Sequence, residues 1–179
     1  MKKIYVLTGM SGVGKTSVIN EILKIDSFCY PKIYTTRPMR EQINDGKIHI
    51  DEDDYGKLPD KVVEFIYNQH KYAITESEVQ KSNIFDLAPS GFRNLKENYH
   101  GDKKIIIIYV WIDECERIKR MKERGESEEN IYSRLQYEKI EYEHVKKAAD
   151  YTIKNDDLEK CLNRLLLIIA LNESTEDNF

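Results

Sequence analysis

No stretch of this chain is long and apolar enough to cross a bilayer. A spanning helix needs about 18 or more apolar residues in a row, and the longest unbroken run here is Ile105–Ile112. After Met-Lys-Lys, the apolar stretch Ile4–Leu7 falls short of the about 7–15 residues of a secretory leader. Cysteine is scarce: Cys29, Cys115 and Cys161 are odd in number, far apart and without metal-ligand spacing, which fits free thiols in a reducing compartment. A basic excess is also missing. The formal net charge is -4 and the pI ≈ 5.7, which argues against a duplex-binding footprint but leaves room for a small anion held by local Arg and Lys clusters. No internal repeat or low-complexity linker is visible. These absences predict a soluble, cytoplasmic protein with neither nucleic acid nor membrane as partner, a monomer or homodimer.

What is present suits one globular domain. The 179 residues are 40% hydrophobic and 34% charged, enough for a sizeable core. Lys3–Thr8 is short, apolar and bounded by Gly9, so it reads as a buried first strand, and Val18, Ile22 and Leu23 then recur at helical spacing. Residues 31–75 are different: short β-rich stretches alternate with turn residues such as Asn44-Asp45-Gly46, which predicts a small antiparallel insert. Asn83–Asp86 reads as a strand and Ser90–Asn98 as a helix. The run Ile105–Ile112 predicts a central strand covered on both faces. Residues 113–149 are charged and helix-forming, with a break at Gly125. Tyr151–Lys154 is a last strand, Leu158–Leu171 a closing helix, and the remainder a frayed tail. Alternating strands and helices give an α/β fold with a mostly parallel sheet in three layers. The expected division is a core of 1–30 and 76–171, an insert at about 31–75, a helical lid at about 117–134 and a tail at 172–179.

The sharpest motif is Gly9-Met-Ser-Gly-Val-Gly-Lys-Thr16, which fits G-x-x-x-x-G-K-[ST] at every fixed position. Its glycines let successive backbone N–H groups point at phosphate oxygens, and the following helix N-terminus adds partial positive charge. Gly9, Ser11, Gly12, Val13, Gly14, Lys15 and Thr16 are therefore the expected ATP-binding loop. Lys15 would reach the β- and γ-phosphates and the Thr16 hydroxyl would bind Mg²⁺. A strand before and a helix after supply the context this motif requires.

Two arginine clusters bear on which phosphate chemistry follows. Tyr34-Thr-Thr-Arg-Pro-Met-Arg40 places Arg37 and Arg40 on the insert, where two guanidinium forks suit a second phosphate group. Standing alone, the segment also reads as a solvated basic turn. Arg117, Arg120, Arg124 and Arg134 surround the Gly125 break, as in a mobile lid that brings positive charge onto a transferring phosphoryl group. A charged surface helix with i, i+4 pairs gives the same pattern.

Taken in order, these segments resemble the guanylate kinase family over residues 3 to about 168. That family has a G-P-S-G-x-G-K loop, a T-T-R-x-P-R segment, an R-L-x-x-R-G lid continuing as D-S-E-E, and a late D-Y-x-x-x-N-D-D-L. Here they stand as Gly9–Thr16, Thr35–Arg40, Arg120–Glu129 and Asp150–Leu158. The resemblance implies a P-loop nucleoside-monophosphate kinase that uses ATP with Mg²⁺, with GMP or dGMP as default acceptor. It implies that Lys15, Arg120, Arg124 and Arg134 hold the transferred phosphoryl group and that Asn155 lies near the adenine. Arg37, Arg40, His49, Glu64 and Tyr72 would form the acceptor site, and Asp86 would join Thr16 near Mg²⁺.

The departures from the family pattern fall mainly in the acceptor site. Ile33 stands where the family has a Ser on the guanine, His49 where it has a Tyr, Ala73-Ile74 where it has Gly-Ser/Thr, and Ala88 where it has an Asp. Met10 replaces a loop Pro. Other acceptors therefore stay open, including another nucleotide or a ribose phosphate, as does a non-catalytic protein-binding module of this fold. A simple ATPase is a further reading, because Asp113-Glu114 follows the long apolar run as a catalytic acidic pair can. An N-cap at Asp113 explains the same residues.

Overall fold

The computed structural model describes residues 1–39, 47–67 and 69–174. The chain opens with β1 (Lys3–Thr8), turns through the glycine-rich loop, and enters α1 (Lys15–Ile22). The insert follows as β2 (Ile33–Thr35), β3 (Lys47–His49), α2 (Glu52–Gly56), β4 (Lys61–Tyr67) and β5 (His70–Thr75). The chain continues through α3 (Glu76–Lys81), β6 (Ile84–Asp86), α4 (Pro89–Asn98), β7 (Lys104–Trp111), α5 (Glu114–Glu123), α6 (Glu128–Glu141), α7 (Val145–Ala148), β8 (Tyr151–Lys154) and α8 (Leu158–Ser174). None of the described helices is long and apolar enough to cross a membrane.

The strands form two sheets. The first has the order β6-β1-β7-β8 and is parallel at every pairing. All six residues of β1 are buried, as a strand covered on both faces must be. One face packs a cluster containing Val6, Phe85, Leu95 and Ile107. The other packs Leu7, Val18, Ile22, Ile108 and the α8 residues Cys161, Leu165 and Ile169. That last trio recurs every four residues, so α8 lays one apolar stripe on the sheet.

The second sheet has the order β3-β2-β5-β4. It is mixed rather than purely antiparallel: β2 pairs antiparallel with β5 but parallel with β3. The β2–β3 connection is too long to act as a tight hairpin, and the chain returns in the same direction. The turn expected at Asn44-Asp45-Gly46 lies outside the described residues. The sheet is anchored to the core through α4. Asn94 Oδ1 accepts from the Glu64 N–H at 2.7 Å, and Asn98 Nδ2 donates to the Val62 carbonyl at 3.2 Å.

The C-terminal ends of β1 and β6 and the N-terminus of α1 converge on one side of the first sheet. Residues of the second sheet and of α6 line the same cavity as Gly9, Lys15 and Asp86.

Candidate active site

The glycine-rich loop is shaped by close contacts. A Cβ on Gly9 would lie 2.2 Å from the Val110 carbonyl oxygen, so this position admits only glycine without a shift of β7. Gly14 has φ +88, and a Cβ there would meet Asn155 Nδ2 at 2.4 Å. Asn155 is buried, and its Nδ2 donates to the Val13 carbonyl at 2.7 Å. The residue after β8 thus fastens the loop from behind.

Lys15 starts α1. Its Nζ donates to the Gly9 carbonyl at 2.5 Å and lies 3.8 Å from Asp86 Oδ1 at the end of β6. Thr16 follows it, exposed in the first turn of α1. A cavity of about 330 Å³ opens in front of Gly9, Ser11 and Lys15. Its walls come from three parts of the chain: Ile33, Arg37, Lys47, Phe65 and Tyr72 from the insert, Asp86, Leu87 and Ala88 from the core, and Arg134, Glu138 and Glu141 from α6. Arg37 and Lys47 give the insert side positive character. Burial, then the nearby Arg37 charge, push the Lys47 ammonium below its ordinary pKa, with Asp86 pulling the other way.

A family comparison fits this arrangement. The guanylate kinase family model matches residues 1–171. The guanylate kinase of Syntrophus aciditrophicus is 31% identical over 181 residues, covering 94% of this chain and 86% of that protein. That of Thermotoga maritima is 30% identical over 184 residues, covering 93% and 86%. The chain belongs to the guanylate kinase family. A crystal structure of guanylate kinase from Anaplasma phagocytophilum shares the fold with a TM-score of 0.71 at 17% identity, covering 95% of this chain and 85% of that one.

Within this guanylate kinase fold, the residues singled out from sequence divide into three groups. Gly9, Ser11, Lys15, Arg37, Tyr72, Asp86 and Arg134 line one cavity. Gly12, Val13, Gly14, Thr16 and Asn155 build or fasten the loop beside it. Arg120 joins them from α5, with Nη2 donating to the Asn155 carbonyl at 3.2 Å and Nε to Glu116 at 3.2 Å. Arg124, Glu64 and His49 are not among the cavity-lining residues. Arg124 is paired with Glu126 at 2.6 Å. His49 Nδ1–H donates to the Arg37 carbonyl at 2.6 Å, so it braces the backbone of an arginine that does line the cavity. Glu64 faces the opposite side of β4, where its carboxylate accepts from Tyr55 Oη at 3.0 Å. The next residue, Phe65, faces the cavity and stacks on Tyr72 with centroids 5.1 Å apart and planes 6° from parallel. Arg40 lies outside the described residues.

Arg117, read from sequence as part of a mobile lid cluster, is instead buried at 4% exposure and ion-paired with Glu138. Asp113 does stand at the N-cap of α5, but its carboxylate binds Lys154 at 2.9 Å rather than the helix N–H groups. Sequence reasoning missed Glu138 and Tyr142. Tyr142 is buried and its hydroxyl donates to the Gly9 carbonyl at 3.0 Å.

The donor set bears on Mg²⁺. No group of three or more His, Cys, Asp or Glu side chains is placed to hold a metal among the described residues. Mg²⁺ bound with nucleotide phosphates and water needs only one or two protein oxygens. The Thr16 hydroxyl and the Asp86 carboxylate are the residues that would contribute.

Proposed function

We propose that this chain transfers the γ-phosphoryl group of ATP to the phosphate of GMP, giving ADP and GDP. The observation that carries the reading is the single cavity on which the P-loop, the insert arginine and the lid arginine converge. Lys15 lies at one wall, Arg37 at another, and Arg134 bridges from α6 with Nη1 donating to Ser11 Oγ at 3.1 Å.

In this reading ATP lies along Gly9–Thr16, with loop amides and Lys15 on its phosphates and Asn155 supporting the loop. Thr16 and Asp86 would hold Mg²⁺, which would supply charge that offsets the phosphates. The acceptor phosphate docks against Arg37, with Arg40 and Tyr72 as further contacts, and one of its oxygens attacks the γ-phosphorus in line. That oxygen is already anionic near neutral pH, so no protein nucleophile is needed, and positioning and charge stabilisation carry the rate. Arg134, with Arg120 and Arg124 closing from α5, would meet charge on the transferring group.

A second acceptor class is favoured by one feature. Ile33, Phe65, Leu87 and Ala88 line the cavity with apolar side chains that offer a base edge no side-chain hydrogen bond. A coupled ADP-release assay across all ribo- and deoxyribonucleoside monophosphates tests both readings. GMP-dependent ADP release supports the first, and a preference for another monophosphate supports the second. ADP release that is the same without any acceptor would identify a simple ATPase, and no release with any of them would remove the kinase reading.

A further inference from the structure

We infer that Glu138 is a positioning residue for the phosphate loop, held in that role by the buried guanidinium of Arg117. The inference rests on the reading of residues 9–16 as the ATP site. Glu138 lies in α6, and its Oε1 accepts from the Ser11 backbone N–H at 2.7 Å. Its other oxygen takes the Arg117 Nη2 donor. Arg117, in α5, donates from Nε to the Ser11 carbonyl at 2.8 Å and from Nη1 to Met10 Sδ at 2.8 Å. The two side chains are only 4% and 8% exposed. The N–H and C=O of one loop residue are thus gripped by two side chains from two helices that precede and follow the Gly125 turn.

Other roles for Glu138 do not suit its chemistry. It lines the cavity beside the phosphate loop, where a bare carboxylate would repel ATP, and Arg117 supplies the compensating charge. It is not needed as a general base, because an attacking phosphate oxygen carries no proton that must be removed near neutral pH. A buried ion pair is also a weak reason for stability, since an apolar pair of similar size often serves as well or better. The pair spends its hydrogen bonds on loop backbone, and that is a geometric task. It sets where the loop turns toward Gly12 and couples the loop to α5 and α6.

The test compares wild type with E138A, E138Q and R117K. ATP affinity is read by titration calorimetry without acceptor, KM and kcat from steady-state assays, and folding from thermal melts. E138A removes both contacts, so its ATP affinity falls by about 10-fold or more, the scale of one hydrogen bond to a charged group. The acceptor KM stays within about twofold. E138Q keeps a carbonyl oxygen for the Ser11 N–H and recovers a large part of the loss. R117K keeps the charge but loses the fork that reaches the Ser11 carbonyl, and it weakens ATP without moving the acceptor KM. Should E138A fail to fold, E138Q and R117K carry the same comparison. A lower melting temperature with unchanged ATP affinity overturns the inference and leaves the pair a purely structural one. Tighter ATP binding in E138A also overturns it, by making Glu138 a competitor of phosphate for the Ser11 N–H, as does equal weakening of ATP and acceptor. Wild type that binds no ATP removes the ATP reading and this inference together. Wild type that binds ATP while E138A matches it removes the inference alone.

Discussion

The Asn155 side-chain amide donates to the Val13 carbonyl at 2.7 Å, so the segment after the last strand holds the first loop of the chain in place. Asn155→Ala would leave that buried carbonyl unpaired and open the packing over Gly14. The expected cost is about 1–3 kcal/mol, read as a lower melting temperature, with a raised KM for ATP and an unchanged KM for the acceptor. A variant with wild-type melting and wild-type ATP kinetics would show that the loop holds its shape without this bond.

Lys15→Ala should lower phosphoryl transfer by orders of magnitude with the fold retained. In the proposed reading the ammonium meets charge on the transferring phosphoryl, and such charge matching is a large part of catalysis of this type. The check is kcat from single-turnover assays beside a circular dichroism melt. Retention of most of the wild-type kcat would remove Lys15 from the mechanism.

The double substitution Ile33→Ser with Ala88→Asp should improve kcat/KM for GMP by about 10- to 100-fold, from roughly 1.5–3 kcal/mol of added polar contact. Both side chains line the cavity and neither can hydrogen-bond a base edge. Competition assays between GMP and the other monophosphates read the change. An unaltered preference would place base recognition elsewhere, with the backbone around Leu87 and Ala88 the first region to examine.

Lys47 gives a pH signature. Its pKa is pushed down by burial first and by Arg37 second. If Lys47 meets the acceptor phosphate, the attraction comes from its charged form, present below that lowered pKa and lost as pH rises through it. Acceptor kcat/KM should therefore decline on the alkaline side at a pH below the ordinary lysine value of about 10.4. The decline should be weaker in kcat, since a bound phosphate favours the ammonium. Lys47→Met should flatten that limb at a raised KM. A wild-type profile that stays level across this range would mean that Lys47 does not meet the phosphate.

The parallel sheet and the phosphate loop were legible because their signals are local. The apolar runs of β1 and β7 state their burial directly, and a loop built on Gly9, Gly14 and Lys15 has few other uses. The acceptor side was less legible for a reason visible in β4. Its pairing with β5 slips between Lys61 and Val63, and a slip of one residue reverses which side chains face inward. Phe65 therefore faces the cavity where sequence pointed to Glu64. Arg117 and Glu138 were hidden for another reason. They sit among charged residues in helices that read as solvated, and only tertiary packing turns two of those charges inward. Asp86 entered through the family resemblance, and it stands at the end of β6 with Oδ1 3.8 Å from Lys15 Nζ.

The two asparagines of α4 have a consequence for the outer edge of the second sheet. An edge strand offers a row of unpaired N–H and C=O groups that can recruit another strand. The Val62 carbonyl and the Glu64 N–H are such groups on the outer side of β4. Asn94 and Asn98 are one helical turn apart, about 6 Å along the axis, and each supplies the complementary atom. The helix thus imitates a short stretch of neighbouring strand. Removing both amides by Asn→Leu would expose a template for sheet-to-sheet self-association without altering any residue of the cavity.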